Sequence, residues 1–250
     1  VGATTDGGPG LILTDDAEKV ESYIAGIEQD QVAVRTSLET LRGNTDAQTQ
    51  ASLDTFSAKF DEAFAAIVDA EHLGQINSDT AALAISRSDG SSTLGVVEET
   101  MGALKSALAA RVAAGEPGAF NAYQTASDSF LTMTDIFRQQ RNILLASMDP
   151  ELQGKWHADY LEGTKAIAAN LPLLRRSVPA VDASLVSAAE DAYEAMVAAM
   201  DKAIETSMTR ADLAAIEAAD HAGELRIEAD NMLVAMIDAN RALLAEAATN

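Results

Sequence analysis

Apolar residues recur at helical spacing along almost the whole chain, and that recurrence constrains the fold more than any other feature. Val20, Tyr23, Ile24, Ile27, Val34, Leu38 and Leu41 form one stripe. Leu53, Phe56, Phe60, Phe64, Ile67 and Val68 form a second. Steps of three and four put such residues on one face of an α-helix, whereas a strand requires steps of two. The stripes are cut by strong punctuation. Gly43-Asn44 stops one helix and Thr45 or Asp46 caps the next. Asp149-Pro150-Glu151 restarts another, with Asp at the cap and Pro at the first helical position.

Composition agrees. Ala is abundant, aromatic content is 4%, and Gly and Pro fall mostly at the interruptions. Helix formers dominate, and a sheet would need more β-branched and aromatic residues. At 48% apolar the chain has ample material for a core. Because much of that is Ala, thin bundles of closely spaced helices are expected.

Taken in order, Val1–Gly10 is a Gly-rich lead-in, extended to residue 13, and Thr14 is the expected first cap. Helices are expected from there to Gly43 and from Thr45 to about Gly74. Each is roughly 45 Å long at 1.5 Å per residue, and together they form an antiparallel hairpin. A third helical region runs from Asn77 to Gly115, weakened by a kink or short loop at Ser86–Ser92. Gly115-Glu-Pro-Gly118 is a turn or a bend. The pattern resumes from Phe120 through Tyr123, Phe130, Ile136 and Phe137 to a stop before Asp149-Pro150, and the helix that starts there runs out around Leu174–Pro179. Asp182 or Ser184 opens the last helical stretch, with Ser207–Arg210 as a possible break. The expectation is an all-α chain of six helices.

A shift of 103 positions lays Arg35 on Arg138, Leu41 on Leu144 and Asp46 on Asp149. In both places a helix ends and a partner begins with an acidic cap. Two such hairpins, with two longer segments running through both, would make two stacked four-helix bundles. The expected modules are residues of about 14–90 plus 207–250, and of about 91–206.

Charge narrows the function classes. Seventeen basic against thirty-nine acidic residues give a net charge of −22. Nucleic acid and anionic membrane surfaces need a basic face, so neither is expected as a partner. There is no Cys, hence no disulfide framework or thiol chemistry. No run of about eighteen apolar residues is present to span a bilayer. No nucleophile elbow, Gly-rich phosphate loop or His-Glu-x-x-His motif occurs, so an enzyme is the least expected class. His72, His157 and His221 are dispersed, and no metal site or cofactor is expected.

Against this acidity, Arg138 and Arg141 stand three apart on one side of a helix near its end. A planar guanidinium takes a carboxylate in bidentate fashion, which makes the pair a candidate site for a small anion. Cations are also favoured at a helix C-terminus for the dipole alone. Arg175 and Arg176, at the end of the following helix, are further candidates. Trp156 and Tyr160, one turn apart, and the Met196, Met200, Met232 and Met236 positions are read as packing.

The run Arg138-Gln-Gln-Arg141-Asn-Ile-Leu-Leu-Ala-Ser-Met-Asp149, the hairpin repeats at 14–73 and about 120–176, and the length resemble the helical bimodular sensor domains of bacterial methyl-accepting chemotaxis receptors. Some sensor histidine kinases carry similar domains. The resemblance implies a homodimeric periplasmic domain between two transmembrane helices. Such a domain binds small molecules, often organic acids, and signals by helix displacement. Family members that bind dicarboxylates carry an arginine pair in the first helix. Here Glu28-Gln-Asp30-Gln-Val-Ala-Val-Arg35 has one Arg and two acids, so the expected site moves to Arg138 and Arg141 in the membrane-distal module. The alternatives are a histidine-kinase sensor reading a small ligand or a periplasmic binding protein, and a ligand-free structural helical bundle.

Overall fold

The computed structural model describes residues 17–43 and 45–249. The expected lead-in and the Thr14 cap lie outside them. Among the described residues there is no strand. The helices are α1 (Ala17–Arg42), α2 (Ala47–Ile76), α3 (Ser78–Ile85), α4 (Ser91–Ala113), α5 (Ala119–Leu145), α6 (Pro150–Ser177), α7 (Ala183–Met208) and α8 (Ala211–Thr249). A π-helical turn, Ser86–Gly90, joins α3 to α4, and a 3-10 turn, Ala180–Asp182, precedes α7. If interruptions of one or two residues are counted within a run, the helices fall into five runs rather than the expected six. Asn77 is a single left-handed residue between α2 and α3, and a 67-residue run from Ala47 to Ala113 results.

The local signals explain the boundaries. The Asp46 carboxylate accepts the Thr49 amide at 2.7 Å, and the Asp149 carboxylate accepts the Leu152 amide at 3.0 Å. Each satisfies one orphan donor of a helix start. Gly115 and Gly118 both take positive φ, 71° and 79°, so that stretch is a true turn. Glycine has no Cβ to clash in this region. The expected kink at Ser86–Ser92 is the π turn, inside an unbroken helical path.

The chain divides into two compact units, residues 1–77 with 211–250, and 78–210. The first border falls at 77/78 rather than near 90, because the π turn carries the chain through Ser86–Ser92 without leaving the second unit.

The first unit holds α1, α2 and α8, three helices among the described residues where four were expected. Arg35–Asp61 at 2.9 Å and Arg42–Asp54 at 2.7 Å show α1 antiparallel to α2. Lys59 bridges Glu228 of α8 at 3.2 Å and Glu62 of its own helix at 2.9 Å. The core is Leu38, Leu53, Phe56 and Ala229, with Val34, Phe60, Met232, Leu233 and Met236 half-buried around it. Since α8 also runs antiparallel to α2, it is parallel to α1. The described start of α1 and the described end of α8 therefore lie at opposite ends of this unit.

In the second unit four helical segments alternate in direction around one core. They are the α3–α4 run, α5, α6 and α7. Val97, Met101, Leu104, Leu108, Met133, Ile136, Ile143, Tyr160, Ile167, Leu174, Met196 and Met200 are almost wholly buried there. The α5–α6 approach is closest at Gly163, where an added Cβ would lie 2.9 Å from Cγ1 of Ile136. Arg111 of α4 ties the far end, with Asp182 at 2.6 Å and Glu116 at 2.7 Å.

Candidate functional site

The helical repeat of α5 decides where each residue of Arg138-Gln139-Gln140-Arg141 points. Ile136, Phe137, Gln140, Ile143 and Leu144 face inward, and Gln139 is buried beside them. Arg138 and Arg141, about 60° apart around the axis, face outward. The Arg138 side chain is 68% exposed and donates through Nε to Asp135 at 3.0 Å. Arg141 is exposed and lies over the Phe137 ring, 5.8 Å from its centroid. An open depression runs beside Arg138, lined by Leu131, Thr132, Thr134 and Asp135. Among the described residues, all that line it belong to α5.

Arg175 and Arg176 are also exposed. Arg175 pairs with Glu190 of α7, and Arg176 donates through Nε to the Pro172 carbonyl at 3.1 Å. The structure does not bring them to the first pair. Gln153 meets the Ile143 carbonyl and Gly163 meets Ile136, so Arg138 is level with about residue 160 of α6. Arg175 stands some fifteen residues further on, roughly 20 Å at 1.5 Å per residue.

Between and beneath the arginines lies a set of buried amides and hydroxyls. Ser86 of the π turn donates to Oε1 of Gln140 at 3.1 Å, and Nε2 of Gln140 has no partner. Gln139 donates to Asp135 at 3.4 Å, while its Oε1 is unpartnered. Gln153 of α6 is fully buried; its Nε2 donates to Ser207 at 3.1 Å, and its Oε1 accepts Nε of Arg210 at 2.8 Å. Ser147 donates to Asp79 at 2.7 Å. Buried polar groups hold unique partners, and each unmet one costs about 1–3 kcal/mol. The sequence carried one sign of this set: Gln140 shares a helical face with Phe137, Ile143 and Leu144.

Compared with known proteins, the chain matches no protein-family model, no curated protein and no solved structure.

Three acid–base groups elsewhere are perturbed by burial. Tyr160 is buried and donates to Asp201 at 2.6 Å; burial first, then this bond and the Asp201 charge, pushes its hydroxyl well above the ordinary range. Burial, followed by the Asp201 carboxylate, pushes Tyr193 up to about 12. Both phenols stay neutral and act as donors. In the first unit, Glu71 is buried and its Oε2 has no hydrogen bond. Burial, then the Glu28 carboxylate, pushes it up to about 7. Among the described residues no three His, Cys, Asp or Glu are placed to hold a metal ion, and no helix is long and apolar enough to cross a membrane.

Proposed function

We propose that this chain is an extracytoplasmic ligand-sensing domain of a transmembrane chemoreceptor, working as a homodimer in the periplasm. The observation that carries the reading is the double continuation between the units. The chain passes from one to the other at Asn77 and again at Thr209–Arg210, and the left-handed Asn77 and Arg210 interrupt the helix at both crossings. The two units are thus joined by two covalent crossings of the chain. Interface shifts of about 1–2 Å are the usual scale of such switching. A ligand drives one only by binding the two states unequally.

In this reading the ligand is a small organic acid held on the open face of α5. Its carboxylate would replace Asp135 on Arg138, with Arg141 beside it. The test is a thermal-shift screen of the full chain against small organic acids and amino acids. A compound that raises the midpoint by several degrees, and loses that effect in Arg138→Ala/Arg141→Ala, supports it.

A second reading, a ligand-free structural helical bundle, is favoured by particular observations. All four arginines are exposed, and three of them already have partners within the chain. Among the described residues, a single helix lines the depression. No stabilisation by any compound, together with no transmembrane segment encoded on either side, selects this second reading.

A further inference from the structure

Helix α1 is thinly attached. Of its described side chains only Leu38 is buried, while Ile24, Ile27, Gln31 and Val34 are half-buried. Arg35–Asp61 and Arg42–Asp54 tie its C-terminal half to α2. Both pairs sum to 96, which places residues 20–28 of α1 level with residues 68–76 of α2. There the like charge of the exposed Glu28 acts on the buried carboxyl of Glu71. Glu71 is 4% exposed and its Oε2 is an acceptor with nothing to accept.

Other charged residues sit nearby in register. Asp69 and His72 flank Glu71 on α2. On α8 the Lys59–Glu228 level points to Asp212 and Glu217. Glu28 is the charge that acts on Glu71.

We propose that Glu71 and Glu28 form a proton-operated latch for the N-terminal half of α1. With Glu71 protonated, the interface buries a neutral acid beside the exposed Glu28, and α1 lies on α2. When Glu71 gives its proton to water, its carboxylate is left in a site that hydrates it poorly and is repelled by the exposed carboxylate of Glu28. The half-helix then lifts, pivoting about the Arg35–Asp61 and Arg42–Asp54 pairs. This goes beyond the sensing reading and depends on neither the arginines nor a ligand.

The absence of Cys permits a direct test on the full chain. Ala25→Cys and Gln75→Cys, both at exposed positions, accept spin labels on facing levels of α1 and α2. Electron-spin distance measurements at pH 5.5, 7 and 8.5 should give one short, narrow distribution at pH 5.5. A longer, broader one should replace it with a midpoint near the value of about 7 to which Glu71 is raised. Glu71→Gln should hold the short distribution throughout, and Glu28→Gln should move the midpoint down. His72→Gln, which removes the neighbouring imidazole, should leave the response unchanged. A distribution that ignores pH in the labelled parent overturns the latch, as does a response that survives Glu71→Gln or vanishes with His72→Gln. Circular dichroism of each variant confirms that it is folded; if Glu71→Gln is not, the Glu28→Gln midpoint decides.

Discussion

Arg138 and Gly163 show how differently two residues of one helical hairpin bear on stability. Arg138 is exposed, and its pair with Asp135 is a surface i, i+3 contact. Such pairs contribute about 0–1 kcal/mol, so Arg138→Ala should leave the urea midpoint almost unmoved. Gly163 is different. A methyl there would meet Cγ1 of Ile136 at 2.9 Å, and Ile136 is 1% exposed and has no room to retreat. Overpacking of this kind costs about 1–3 kcal/mol, and Gly163→Ala should lower the same midpoint clearly. Glu71 adds a pH dependence. Its carboxyl is raised in the folded state, so folding binds a proton that the unfolded chain releases. That contribution is intact below about pH 4.5, declines as pH rises, and is gone above about 7. Glu71→Gln should remove this slope, giving a higher melting temperature than the parent at pH 8 and little difference at pH 4. None of this was legible in the sequence. Charges draw the eye to Arg138 and Arg141, yet the helical repeat turns them outward and puts Gln139 and Gln140 inside. A buried Glu71 looks like any other acid in a chain with thirty-nine of them.

At the scale of elements the sequence served better, because caps and turns are local chemistry. Asp46, Asp149, Pro150 and the Gly115–Gly118 turn all act where their residue types imply. Asn77 and Arg210 are the exceptions, both left-handed with φ of 45° and 53°. Asn visits that region readily, but Arg does not, and Arg210 is held there in part by Gln153, 57 residues away. The π turn is another non-local feature. Met101 follows Ala82 by 19 residues, about 1900° of regular helix, which would leave the two roughly 100° out of line. One residue absorbed at Ser86–Gly90 restores the alignment, and both side chains are fully buried. Deleting the exposed Ser88 should therefore convert the turn to regular helix with the core faces still matched, and the thermal midpoint should hold or rise. Inserting one Ala after Ser92 should swing the inner face of α4 by about 100° and abolish the cooperative unfolding transition.

At the scale of the whole molecule, the unit of residues 78–210 is continuous in sequence and the other is not. Ala82 and Ala203, close to its two ends, pack in one small cluster with Leu144. Its ends therefore emerge side by side, and the excised fragment 78–210 should fold alone, with helical circular dichroism and a single urea transition. Fragment 1–77 should not. It lacks α8, and with it Ala229, Met232, Leu233 and Met236 of its core. The same interleaving sets an order of events on the ribosome. Domains fold as they emerge, at about 5–20 residues per second. The α1–α2 hairpin is made before residues 78–210 but must wait for α8, which is made after them. During that interval of some ten seconds or more, Phe56, Phe60 and their neighbours have no α8 to cover them, while the segment made in between can already be finished. The hairpin made before residues 78–210 is thus completed after them, and it is the part most in need of a chaperone.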